Sequence, residues 1–222
     1  LTDWAKTWQL RFNASKCKTL HLGNKNAQHE YKMKDGQGDE LVLDSTELEK
    51  DLGINIDPAL KFTRHIEGQV NKANRIMGLI RRSYQHLDGE SFKRLFTALV
   101  RPHLEYCNVA WAPRLNKDKV LIESVLRRGS KFIPGFRDLS YEDRLRKLGI
   151  PSMEFRRARG DVIEVFKYTH GLYNTDQILE LDSDNTRRGH NFKLKKRHCK
   201  TATRSNFFSF RVVDVWNNLP HK

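Results

Sequence analysis

Four carboxylates lie close together in the chain, at Asp35, Asp39, Glu40 and Asp44, and the first question is whether they hold a metal. Phosphoryl transfer by metal ions needs carboxylates that share a cation. These four sit in a turn and the strand after it, where acidic side chains are ordinarily just hydrated, so no metal site is expected there. The nine histidines contain no HExxH pair or other paired-ligand spacing. His190, His198 and Cys199 would give three ligands of a zinc knuckle, but a structural zinc takes four, and no fourth lies nearby. Gly36 and Gly38 are not followed by the Lys-Ser/Thr and helix start of a phosphate loop. No Ser/His/Asp or Cys/His arrangement can be argued from spacing. The expectation is therefore no catalytic residue set and no metal.

Binding chemistry is better represented. Arg64, Lys72, Arg75, Arg81 and Arg82 recur opposite an apolar stripe, with only Glu67 among them. Such a face can follow a phosphate backbone, releasing counterions at each neutralised phosphate. It is equally the solvated side of an amphipathic helix. From Arg187 to Arg204 there are eight Lys and Arg and no Asp or Glu, and Phe192, Phe207 and Phe208 lie in or beside the run. Basic residues interleaved with aromatics suit a single strand of nucleic acid, and Lys193, Lys195, Lys196 and Arg197 are its densest part. A loop, or a segment that orders on binding, is the expected state.

The charge distribution agrees. The chain of 222 residues has 41 Lys and Arg against 27 Asp and Glu, a formal net charge of +14. Residues 1–60 carry 8 basic and 10 acidic side chains, so the excess belongs to residues 61–222, with 33 and 17. The pI of 9.8 exceeds the value of about 9 typical of nucleic-acid-binding domains. No run approaches the roughly 18 apolar residues of a membrane span. Cys17, Cys107 and Cys199 are isolated and odd in number, which fits a reducing, intracellular setting rather than a disulfide framework. The first residue is Leu1, and the chain is expected to be cut from something longer.

Certain elements must position these residues. Trp4, Trp8 and Phe12 share a helical face, and Asn13–Lys16 is a turn. CKTLHLG, HEYKM, ELVLD and Leu52–Ile56 are short strand candidates, with a hairpin turn at Asp35–Gly38, so residues 1–57 read as a helix plus a small antiparallel sheet. Asp57 and Pro58 close it. Phe62, Ile66, Val70, Ala73, Met77, Ile80, Tyr84 and Leu87 then mark a long helix by their steps of three and four. A second helix from Glu90 should be kinked or broken at Pro102, with Phe92, Leu95, Leu99 and Tyr106 packed on the first. Further helices are expected over 118–132, from Ser140 with SYED as its capping box, and over 152–172. An apolar pattern resumes in FFSFRVVDVW.

Five blocks resemble one family. WAKTWQLRFNASKCKTLHLG resembles the segment that follows the catalytic Asp-Asp pair in jockey-type (LINE) non-LTR retrotransposon reverse transcriptases. KDLGINID resembles their primer grip, LVRPHLEYCNVAW their thumb, LSYEDRLRKLGIPSMEFRRARGDVIEVFKYTHG the block after it, and SFRVVDVWNNLP the closing segment. The resemblance covers nearly the whole chain, in order. It implies an α+β fold: a late palm remnant at 1–57, a mainly α-helical thumb at 58–133, and a basic, mainly helical region at 134–222. It implies a fragment of an RNA-directed DNA polymerase that holds RNA template and DNA primer as a hybrid, alongside the remainder of the polymerase chain. The catalytic aspartates and their Mg²⁺ would belong upstream of Leu1, so the fragment alone is expected to be inactive and to carry no cofactor. Lys16 matches a late-palm lysine near the incoming nucleotide, an accessory acid-type role, and Leu52 and Gly53 match the primer grip. The nucleus is the implied location. Leu126 and Gly129 depart from the family pattern. Two other readings stay open: a non-enzymatic nucleic-acid-binding protein derived from a transposon remnant, and a helical protein-interaction module.

Overall fold

The computed structural model describes residues 2–10, 12–23, 25–34, 38–173, 179–182 and 190–220. Helix makes up about 52% and strand about 9%, a mixed α+β chain that is mainly helical. It divides into two compact units, Leu1–Phe62 and Thr63–Lys222. The boundary expected after residue 133 falls inside the second.

The first unit opens with helix α1 (Thr2–Thr7). The expected helix through Phe12 stops early, because the chain turns at Gln9 with φ of 54°. Trp4 and Trp8 are both exposed, their rings 6.5 Å apart. Six strands come next, in three ladders. β1 (Lys18–Thr19) pairs in parallel with β4 (Asp44–Ser45), which corrects the all-antiparallel expectation. β2 (Lys32–Lys34) and β3 (Glu40–Val42) pair antiparallel, as do β5 (Glu49–Asp51) and β6 (Ile54–Ile56). The turn expected at Asp35–Gly38 lies mostly outside the described residues. The Asp57 carboxylate closes the unit, accepting from the backbone N–H groups of Ala59, Lys61 and Phe62 at 3.1, 3.2 and 2.7 Å.

Leu52 and Gly53 form the two-residue turn between β5 and β6, with φ of 45° and 87°. They are not in the strand expected over Leu52–Ile56. Two positive φ angles are the type I′ hairpin, whose backbone suits twisted strands and which favours Asn-Gly. A left-handed leucine costs roughly 1–2 kcal/mol, and this one is 82% exposed, so little burial offsets that cost. Leu52→Asn is expected to stabilise the first unit by about 1 kcal/mol in denaturant titrations. A loss of stability would mean that the leucine packs on something in solution.

The second unit is built on α2 (Thr63–Ser83), whose period-3.6 stripe buries Ile66, Val70, Ala73, Met77 and Ile80. Phe62 precedes the helix with φ of 58°, and Tyr84 comes after it, exposed. Asp88 caps α3 (Gly89–Leu95) by accepting from Ser91 N–H at 2.7 Å. Pro102 does not break the second helical stretch. A π turn (Phe96–Val100) carries α3 into α4 (Arg101–Glu105), with Arg101 N–H donating to the Phe96 carbonyl five residues back. Pro102 falls in the first turn of α4, where a missing N–H costs little, and the π-bulge before it adds one residue to the helix. That shifts the buried face by one position. Val100 and Leu104 are fully buried, whereas Leu99 and Tyr106, expected in the core, are 47% and 58% exposed.

Next come α5 (Asn108–Trp111), α6 (Asn116–Gly129), with a 3-10 turn at Ser130–Phe132, and α7 (Tyr141–Leu148). Ser140 caps α7 through Asp143 as its sequence suggests, and Gly149 ends it at φ of 59°. α8 (Met153–Thr169), α9 (Ala202–Ser205) and α10 (Phe208–Asn217) complete the unit. Gly129 has a packing reason: a Cβ there would lie 2.4 Å from Met77 Cε and 3.4 Å from Phe92. Leu126 is fully buried, a place a glutamine would fill at a desolvation cost.

His65 lies in this core, 1% exposed, its ring centre 5.2 Å from that of Trp111 in an edge-to-face arrangement. Burial, and then the charge of Lys72, hold its pKa below the ordinary 6.5. The unfolded chain therefore binds the proton more readily. The stability this gives is complete above pH 6.5 and falls as the pH drops from there through the lower folded value. Thermal melts between about pH 7 and about pH 5 should show this loss, and His65→Phe should flatten it. An unchanged slope in the variant would assign the loss to other groups.

Candidate nucleic-acid interface

On the outer side of α2, Arg64, Arg75 and Arg82 are separated by 11 and 7 residues. From Arg64 these are about three and five whole turns, so the three lie nearly in line over roughly 27 Å. Lys72 and Arg81 flank the line, and all five side chains belong to exposed residues. Among the described residues, none of the five forms an ion pair. Gly68 and Gly78 occupy the same outward side. A Cβ at Gly68 would meet nothing within 4 Å, and one at Gly78 only Arg82 Nη1 at 3.8 Å. Each glycine costs a helix interior about 1 kcal/mol relative to alanine, and no packing demand accounts for it.

The C-terminal basic run is arranged differently. Its described part, from His190, is an extended segment fixed on α10. Asn217 brackets Leu194, accepting from its N–H and donating to its carbonyl, both at 2.8 Å, and Trp216 Nε1 donates to the Phe192 carbonyl at 2.6 Å. Leu194 is 2% exposed in a cluster with Val165, Leu179, Phe208, Val212, Val213 and Trp216. Residues 192–194 are thus bonded along α10 through Trp216 and Asn217. Arg187, Arg188 and Gly189 lie outside the described residues. Three of the cations here have carboxylate partners supplied from elsewhere in the chain. Lys196 pairs with Asp214 at 2.7 Å, and Arg197 and Lys195 with Glu180 at 2.6 and 3.7 Å. Arg197 above all holds the Glu180 carboxyl below its ordinary pKa. Lys193 is engaged too, its carbonyl accepting from Asp182 N–H at 2.8 Å.

In the first unit Lys16 is an exposed residue of a 3-10 turn (Ala14–Lys16), and Leu52 and Gly53 stand at the hairpin tip. Among the described residues no group of three His, Cys, Asp or Glu is placed to hold a metal, and no helix is long and apolar enough to cross a membrane. His190 Nε2 lies 3.0 Å from the Trp216 carbonyl, where its ring meets the indole edge-on.

One cationic group was not legible in the sequence. Arg128, Lys131 and Arg137, from the end of α6 and the loop after it, converge with Arg81 around a cleft. Arg81 is some fifty residues away in the chain, so no local period could join them. No protein-family model, curated protein or solved structure matches this chain.

Proposed function

We propose that the second unit binds the phosphate backbone of nucleic acid along α2, and that the chain is part of a reverse-transcriptase-type polymerase holding an RNA–DNA hybrid. The observation that carries the binding reading is the contrast between two basic surfaces. The cations of Lys195–Arg197 are already paired with carboxylates, while those of α2 form no ion pair among the described residues and three of them are aligned. An exposed cation without a carboxylate is the kind that exchanges small counterions for phosphate. Gly68 and Gly78 leave the helix backbone bare between the arginines, so a strand can come close to it. The polymerase part rests on the five sequence blocks. Lys16, Leu52 and Gly53 belong to that part, as the accessory lysine and the primer grip, and the Mg²⁺ belongs with aspartates outside this chain.

The test is binding to an RNA–DNA hybrid duplex over a series of salt concentrations. Affinity should fall steeply with salt, with a log–log slope of about −3 or steeper. A flat dependence would leave a protein partner as the better reading. Template-directed extension with magnesium separates the polymerase fragment from a polymerase: synthesis by this chain alone would overturn the assignment of the aspartates elsewhere.

A further inference from the structure

Where α2 and α6 end, the chain encloses a cleft of about 590 Å³. That is within the range of roughly 300–1,000 Å³ usual for small-ligand sites. Arg81, Arg128, Lys131 and Arg137 line it, and among the described residues no carboxylate does. Three other concavities of this unit each contain acidic side chains, among them Asp161, Glu105 and Glu123. None of the four cations forms an ion pair among the described residues. Cations in the last turn of a helix ordinarily offset its macrodipole. Two helix ends supply only about −1 in partial charge, so four cations leave a clear positive surplus.

The cleft is not only basic. Leu87 and Ile133, each 4% exposed, give it an apolar floor, and Tyr84, 45% exposed, stands at its side. Arg81 is held with its guanidinium carbon 5.1 Å from the centre of the Phe132 ring. The wall beyond is a turn, Ile133–Phe136, closed by Phe136 N–H on the Ile133 carbonyl at 3.1 Å. Gly135 sits there at φ of 75°, a Pro-Gly pair of type II geometry. An apolar floor, an exposed aromatic ring and unpaired cations together match a base joined to phosphate groups.

We propose that this cleft binds a nucleoside phosphate, with the phosphates on Arg128, Lys131 and Arg137 and the base against Tyr84. It extends the nucleic-acid reading of α2, because a free nucleotide or the 5′-phosphorylated end of a strand would present the same chemistry. The probes are pyrophosphate, ADP and a short 5′-phosphorylated oligothymidylate, titrated into the whole chain. Arg128→Glu/Lys131→Glu should weaken all three by at least about tenfold. Lys195→Glu/Lys196→Glu, with the same change in net charge, should leave each within about twofold. Tyr84→Ser should weaken ADP and the oligonucleotide and spare pyrophosphate. If the oligonucleotide binds more tightly than ADP, the ligand is a strand end; if the two are equal, it is a free nucleotide.

The proposal is overturned if the two double variants lose affinity equally, or if the wild-type chain binds none of the probes. Lys131→Ala/Arg137→Ala serves in place of the charge reversal should that variant not fold. Steep salt dependence on the hybrid duplex, with no special effect at the cleft, would remove the cleft alone. Nucleotide binding beside a flat duplex response would remove the α2 reading alone.

Discussion

Asp161→Ala is expected to destabilise the second unit by about 3–5 kcal/mol, because it strands a buried guanidinium. Arg211 lies on α10, and Asp161 faces it from α8 with both oxygens, 2.9 Å from Nε and 2.8 Å from Nη2. Two of the other three guanidinium hydrogens go to backbone carbonyls, Val109 at 3.1 Å and Asn206 at 3.0 Å. The two side chains are only 14% and 15% exposed, so water cannot replace the lost carboxylate easily. Arg211, on α10, thus ties that helix to α8, to the end of α9 and to the short helix α5. Domains of this size are stable by roughly 5–15 kcal/mol, so the variant should be partly unfolded at modest denaturant concentrations. Asp161→Ala/Arg211→Met should recover much of the loss, since an apolar side chain needs no counter-charge. Equal stability of the single and double variants would show that the stranded guanidinium is not what destabilises Asp161→Ala.

The second large effect concerns α2. Arg64→Ala/Arg75→Ala/Arg82→Ala should reduce the salt slope for duplex binding by about 2–3, close to one unit for each phosphate contact removed. At moderate salt that corresponds to a loss of affinity on the order of a hundredfold or more. The three residues are exposed and form no ion pair among the described residues, so melting should change little. Lys195→Ala/Lys196→Ala/Lys193→Ala removes the same formal charge from a surface whose carboxylates stay behind, and should alter the slope much less. Equal slopes in the two triple variants would mean that net charge alone governs binding and that α2 is no privileged face.

What the sequence made legible was local. The α2 stripe, the Ser140–Asp143 cap and the Gly149 stop each depend on residues within a turn or two. The π turn was not legible, since Pro102 signals a disturbance without saying whether the chain breaks or widens. That one undetermined residue misassigned Leu99 to the core, where Val100 stands instead, and Tyr106 lies just past the end of α4. The short strands were found roughly, but the parallel β1–β4 pairing joins residues 26 apart and has no periodic signature. Lys195–Arg197 looked like a free polycation because their partners, Glu180 and Asp214, lie well outside the run. Gly129 had no local reason to depart from the family pattern, because the methyl of Met77 that it accommodates belongs to another helix. In each case the missing information was a tertiary neighbour.

The unequal pairing of cations also has a kinetic side. Where charges are matched, as along Lys195–Arg197, their fields largely cancel within a Debye length of about 8 Å at physiological salt. Along α2 no ion pair among the described residues offsets them, and the long-range field of a polyanion turns such a face toward it before contact. Encounters would then begin with α2 already turned toward the phosphates, and added salt would slow association more than it hastens release.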